Sequence, residues 1–204
     1  MKRYILFILV LFLLTSFNIS GQSADELYNS GLKKAENADY EGALLDFDAA
    51  IELNGKDSFI YANRGLANMK LSRHRKAYSD FKDAIKINPN FAKFYYWRGL
   101  ASDSLGKNQD ALNDYNKSIK ADPTDPMVYV SRANLFYKVK DYNTTVANLN
   151  YALQMDDNLP GAYYTRGMAK FQLVDTSGAC LDWKKSLELG ENKAKEMLDK
   201  YCGE

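Results

Sequence analysis

The chain has 204 residues, 46% of them hydrophobic, with 27 basic and 26 acidic side chains, one histidine and two cysteines. That is enough apolar material for one ordinary domain or a short repeat array, and the balanced charge excludes the basic stripe that nucleic-acid binding needs. The chain has no zinc or haem spacing, no phosphate-binding loop and no serine in a nucleophile elbow, so no catalytic residue, metal ligand or cofactor is expected and the chain reads as a non-enzyme.

Residues 1–21 open with Lys2 and Arg3, continue through an apolar run from Tyr4 to Leu14 and end in small and polar residues. That order is the anatomy of a secretory signal peptide, with the cut expected after Gly21. The run is shorter than the roughly 20 apolar residues of a membrane span, so an uncleaved anchor is the alternative reading. No cysteine follows the run, which argues against a lipoprotein, and the expected location is the periplasm or the medium outside the cell. Removal of this segment takes away two of the 27 basic side chains and none of the 26 acidic ones, leaving a chain close to neutral. Farther on, Ser72 to Lys76 (SRHRK) reads as a solvated turn with His74 at the surface.

From Ala24 onward the chain repeats with a period of 34. One row of small residues holds Gly31, Gly65, Gly99, Ala133 and Gly167, and a second, twelve positions later, holds Ala43, Ala77, Ala111, Thr145 and Ala179. A large row follows at Phe47, Phe81, Tyr115, Leu149 and Trp183, and another small row at Ala50, Ala84, Ser118, Ala152 and Ser186. Within each copy apolar residues recur three and four apart in two blocks around a short polar turn, so each copy is predicted to be a helix A, a turn and a helix B. The expected copies are 24–57, 58–91, 92–125, 126–159 and 160–193, the fourth the most divergent, followed by a capping helix over 194–204. Pro126 and Pro160 fall at the first position of a helix, with Asp125 as an N-cap. Two short helices cannot bury their apolar faces alone, so the copies are expected to stack into an all-α solenoid.

Two charged rows share the period: Arg64, Arg98, Arg132 and Arg166, with Ser30 at the first position, and Asp46, Asp80, Asp114, Asn148 and Asp182. Opposite charges in register suggest a structural ladder in which each guanidinium lays its stem over the core and pairs with a carboxylate of a neighbouring helix. Pairing with the preceding copy, Arg64 to Asp46, Arg98 to Asp80 and Arg132 to Asp114, is favoured because the first copy has no predecessor and no arginine; pairing within a copy is the alternative.

Period, order and residue types together resemble the tetratricopeptide repeat over nearly the whole chain after residue 23. The resemblance implies a right-handed superhelical solenoid whose concave face, lined by helix A residues, receives an extended peptide or a partner's helix. By register the lining would be Tyr28, Leu32, Phe59, Ala62, Leu66, Met69, Lys93, Tyr96, Leu100, Asp103, Met127, Val130, Asn134, Tyr137, Tyr164, Met168 and Phe171, an aromatic and methionine-rich set suited to adaptable apolar contact. Tyr96 stands out as the residue best placed to touch a ligand. The family's clamp for the C-terminal carboxylate of heat-shock chaperones is not assembled, because Tyr28, Leu32 and Trp97 replace its polar positions and only Asn63 and Lys93 match.

Cys180 and Cys202 lie ten residues before and twelve after the turn glycine Gly190. Antiparallel packing would bring them together, and in an oxidising compartment a disulfide locking the cap is expected, with two buried thiols as the alternative. The function read from the sequence is a non-catalytic scaffold that binds a protein or peptide in the cell envelope. The alternative is a structural subunit of an envelope assembly that self-associates through its repeat ends.

Overall fold

A computed structural model describes residues 21–203, which leaves the expected signal peptide, apart from Gly21, outside the described residues. Among the described residues there are eleven α-helices and no strand, an all-α helical-repeat solenoid with a C-terminal helix. They fall into two compact units that divide between Ile87 and Asn88.

The first unit holds α1 (Ala24–Glu36), α2 (Tyr40–Leu53), α3 (Ser58–Lys70) and α4 (His74–Ile87). Ser23 starts α1 with a reciprocal capping box to Glu26, and Asp39 and Asp57 cap α2 and α3, so backbone N–H groups that have no partner inside each helix are satisfied. The helices pack in chain order around Leu27, Ala43, Phe47, Ala50, Ile60 and Ala67. His74 opens α4 rather than lying in a turn. Its neighbour Arg73 makes a two-pronged pair with Glu41 at the surface.

The second unit holds α5 (Ala92–Ser104), α6 (Asn108–Ala121), α7 (Pro126–Lys138), α8 (Tyr142–Met155), α9 (Pro160–Gln172), α10 (Thr176–Glu188) and α11 (Lys193–Tyr201). Pro126 and Pro160 begin α7 and α9, where a missing N–H costs nothing, and Asp125 caps α7. The closing α11 buries Ala194 and Leu198 against Trp183, while Tyr201 lies 4.4 Å from Phe171 between ring centroids. A disulfide joins Cys180 on α10 to Cys202 at the end of α11, with Cα atoms 5.8 Å apart. Closing a loop of this length contributes on the order of 3 kcal/mol.

The small and large rows interlock inside each hairpin. A Cβ added at Gly31, Gly65, Gly99 or Gly167 would stand 2.6 or 2.7 Å from the ring of Phe47, Phe81, Tyr115 or Trp183. The fourth hairpin makes a paired exchange instead: Ala133 replaces the glycine, Leu149 replaces the ring, and both are fully buried. Its divergence is a matched change of volume across one contact.

Each turn between helix A and helix B also contains one residue with positive φ, at Ala38, Ser72, Gly106, Lys140 and Val174, again 34 apart. Only Gly106 adopts that conformation without strain, and a β-branched residue is the costliest occupant. Val174 has φ 65° and its side chain is 87% exposed. Val174→Gly is therefore expected to stabilise the last hairpin by about 1 kcal/mol, read as a rise in thermal midpoint. An unchanged or lowered midpoint would mean that the turn is not strained.

Candidate binding groove and the arginine ladder

The arginines pair within their own hairpins. Arg64 Nε and Nη2 donate to Asp80 Oδ1 at 3.0 and 2.6 Å. Arg98 forks onto both oxygens of Asp114 at 2.8 and 2.6 Å, and Arg166 onto both oxygens of Asp182 at 2.9 and 2.6 Å. Arg132 donates to Asn148 at 2.7 Å. This corrects the favoured pairing with the preceding copy. The reason is hairpin geometry: Arg98 and Asp114 are equidistant from Gly106, the left-handed turn residue, so antiparallel helices set them opposite each other. The preceding helix B contributes two positions later than expected. Arg64 Nη1 reaches Asp48 at 2.7 Å, Arg132 Nη1 reaches Asn116 at 2.8 Å and Arg166 Nη1 reaches Asn150 at 2.8 Å.

Asp46 has no arginine partner because the first hairpin lacks one; it accepts from Ser30 Oγ at 2.7 Å and pairs with Lys34 Nζ at 2.7 Å. Burial alone would depress the Arg64 guanidinium, but the hydrogen bonds and charges of Asp80 and Asp48 together raise it. Arg132, with amide partners only, is lowered by burial. Beneath the arginines lies another row with the same period. Tyr61, Tyr95, Tyr129 and Tyr163 each put a ring 5.3 to 5.8 Å from the guanidinium three residues later. Three of their hydroxyls donate back to the preceding loop, at Gly55, Pro89 and Pro123.

The residues expected to line a groove are placed unequally. In the first unit Phe59 is exposed, Tyr28, Leu32, Leu66 and Met69 are half-buried, and Ala62 is fully buried, a core residue and not a lining one. Asn63 donates to the Tyr28 hydroxyl at 2.9 Å and so ties α3 to α1.

In the second unit Lys93 is exposed, while Tyr96 and Leu100 pack against the core. The Tyr96 hydroxyl meets Ser131 Oγ at 3.3 Å, and its ring lies 6.2 Å from Tyr115. Tyr96 thus joins α5 to α7 and is less available than the sequence suggested. Phe171 is likewise enclosed between Trp183 and Tyr201 and belongs to the cap contact. Both displacements have one cause: large rings on closely packed helices gain more area from their neighbours than from solvent.

Seven of the expected residues do come together, six on α7 and α9 and Asp103 on α5. Asn134, Tyr137, Tyr164 and Met168 line a depression of about 390 Å³ with Thr165 and the Asp103–Lys138 ion pair, whose atoms are 2.6 Å apart. Met127, Val130, Asn134 and Tyr164 line a second, of about 400 Å³, with Leu159, Thr165, Glu191 and Lys193. The two adjoin through Asn134, Tyr164 and Thr165. Burial and the charges of Glu196 and Glu191 hold the Tyr164 phenol above its ordinary range, and burial with Tyr142 and Tyr164 does the same for Tyr137. Both therefore remain protonated donors at neutral pH. Apolar walls with a few polar groups able to fix orientation are what a peptide site requires.

The tetratricopeptide-repeat family model matches residues 60–91 and again residues 92–125. Residues 60–125 are tetratricopeptide repeats. Among solved structures it is similar to MamA from Desulfovibrio magneticus RS-1, at 18% identity over 83% of this chain and 96% of that one, TM-score 0.75. It is also similar to YrrB, described as a TPR protein with an unusual peptide-binding site, at 14% identity over 92% and 97%, TM-score 0.72. A third is TTC0263, a TPR protein of Thermus thermophilus, at 17% identity over 89% and 98%, TM-score 0.66. No curated protein matches the chain. Tetratricopeptide proteins bind protein or peptide partners in general, and the fold neighbours suggest an interaction scaffold.

Two features of the ladder and the depressions escaped reading by residue type. The tyrosine row was visible as another 34-residue recurrence. Thr165, Leu159, Glu191 and Lys193 carried no such signal, because Glu191 and Lys193 lie beyond the last helix hairpin and reach the depression only through the placement of α11. Among the described residues no cluster of three or more metal-ligating side chains occurs, and no helix is long and apolar enough to cross a membrane.

Proposed function

We propose that the protein is a non-catalytic, exported scaffold of the cell envelope, built of five repeats and a cap, that binds a peptide or partner surface along α7 and α9. The carrying observation is the pair of adjoining depressions that share Asn134, Tyr164 and Thr165. Tyr164 and Met168 supply apolar contact area and adaptability, while Asn134 and Thr165 offer hydrogen bonds to an extended backbone. The clamp for chaperone carboxylates is absent from this reading, since Asn63 is engaged by Tyr28.

The test is selection of peptides from a random display library on the purified chain, followed by calorimetry on the wild type and on Tyr164→Ala/Met168→Ala. Peptides selected on the wild type should bind the double variant at least tenfold more weakly, with helicity by circular dichroism unchanged. Equal binding by both would refute the assignment to α7 and α9. The self-associating subunit is the second reading, favoured by the exposure of Val174 (87%) and Leu181 (70%) on the last hairpin; sedimentation equilibrium showing a monomer would exclude it.

A further inference from the structure

Four residues after the arginine row comes a second position with the same period, occupied by Lys34, Asn68, Ser102, Phe136 and Lys170. In the first and last hairpins its lysine sets an ammonium on the helix B carboxylate, Lys34 Nζ at 2.7 Å from Asp46 and Lys170 Nζ at 2.9 Å from Asp182. In the second hairpin the position is Asn68, only 3% exposed. Its Nδ2 donates to Asp80 Oδ2 at 2.9 Å, which fixes the amide orientation, since the opposite one would set two oxygens against each other. Its Oδ1 is buried and receives no hydrogen bond. A buried acceptor left without a donor is costly.

Asn68 lines a crevice of about 300 Å³ together with Asp48, Arg64, Asp80, Ser79 and Lys76. Arg64 there faces two carboxylates at once, Asp80 and Asp48, so these three paired groups carry one surplus negative charge, which among the lining residues only Lys76 can offset. Arg132 and Arg166 meet the neutral Asn116 and Asn150 at the corresponding outer position, so no such surplus arises around them. The second hairpin thus combines a short side chain, an unpaired acceptor, an open volume and a charge deficit where other hairpins of the same chain carry a lysine ammonium.

We propose that this crevice binds a primary ammonium group, from a lysine side chain of a partner or a free alkylamine, beside Asn68, whose amide Nδ2 already takes the place on the carboxylate that Lys34 and Lys170 take in their own hairpins. The ammonium donates to Asn68 Oδ1 and neutralises the Asp48–Arg64–Asp80 group. Lys76 stands at the crevice and makes no ion pair among the described residues, so it is the internal competitor.

The experiment follows the backbone amides of Asn68 and Ser79 by NMR in the full chain during titration with n-butylammonium chloride and with Nα-acetyl-lysine methylamide. Potassium chloride and tetramethylammonium chloride serve as controls at matched ionic strength. Saturable shifts with the two primary amines and none with the controls are expected. Tighter binding of the lysine derivative points to a partner's lysine and tighter binding of butylammonium to a free amine, and either supports the site. Asn68→Lys should raise the thermal midpoint and weaken amine binding at Ser79 at least tenfold. Asn68→Ala, which removes the acceptor, should weaken it similarly without the rise. Absence of saturable shifts, equal shifts with potassium, or binding that emerges only in Lys76→Met would overturn the proposal, the last because Lys76 would then be the occupant.

Discussion

Arg98→Met is expected to destabilise the second unit by roughly 3–5 kcal/mol, the cost of leaving a buried carboxylate without its partner. Asp114 is 3% exposed and both its oxygens accept from Arg98. Methionine preserves most of the apolar stem that lies over Tyr95, so the loss is one of charge and hydrogen bonding rather than of packing. Arg132→Met provides the contrast. Its partners Asn148 and Asn116 are neutral amides, and the expected cost falls to about 1–3 kcal/mol. Arg98→Met/Asp114→Asn should recover part of the loss, because it removes the stranded charge. Chemical denaturation followed by circular dichroism, with hydrogen exchange in α5 and α6 as the local readout, measures all three. If Arg98→Met unfolded at the wild-type midpoint, the ladder would have no part in stability.

The second large effect is steric. In Gly99→Ala the new methyl would lie 2.6 Å from Tyr115 Cε1 and 3.4 Å from the Ala111 carbonyl oxygen. Alanine normally gains about 1 kcal/mol over glycine inside a helix, but overpacking costs typically 1–3 kcal/mol, and the Tyr115 ring is fully buried with nowhere to retreat. A net loss is expected, in the direction opposite to helix propensity. The fourth hairpin supplies the remedy: Ala133 and Leu149 sit at the same two positions. Gly99→Ala/Tyr115→Leu should therefore be more stable than the sum of its single changes predicts, giving a favourable coupling in a double-mutant cycle. Additive effects would show that the two rows do not act as one contact.

The interlock between the small and large rows was legible because both contribute to the same close contact in every copy, and the period exposes any contact that recurs. The direction of the arginine pairing was not legible in the spacing. Asp114 and Arg98 are symmetric about Gly106, but Asp80 and Arg98 are equally symmetric about Pro89, so the packing of each helix hairpin decided which carboxylate the arginine holds. The absence of an arginine in the first copy pointed to a missing predecessor, but there Lys34 takes over the carboxylate one helical turn away. Tyr96 and Phe171 were placed by register on the correct helices. Register cannot tell a ring facing open space from one folded against Ser131 or Tyr201.

Sequence by itself determined the repeat length, the helix pairs, the small-to-large packing and the positions of the charged rows, because each is local or recurs at one spacing and is dictated by helix periodicity. Tertiary structure decided which carboxylate each arginine holds, which aromatic rings remain available at α7 and α9, and that Asn68 is left with an unpaired oxygen beside two carboxylates. Those outcomes depend on angles and distances between helices. A few tenths of an ångström there separate a satisfied polar group from an orphaned one, and no spacing along the chain records that difference.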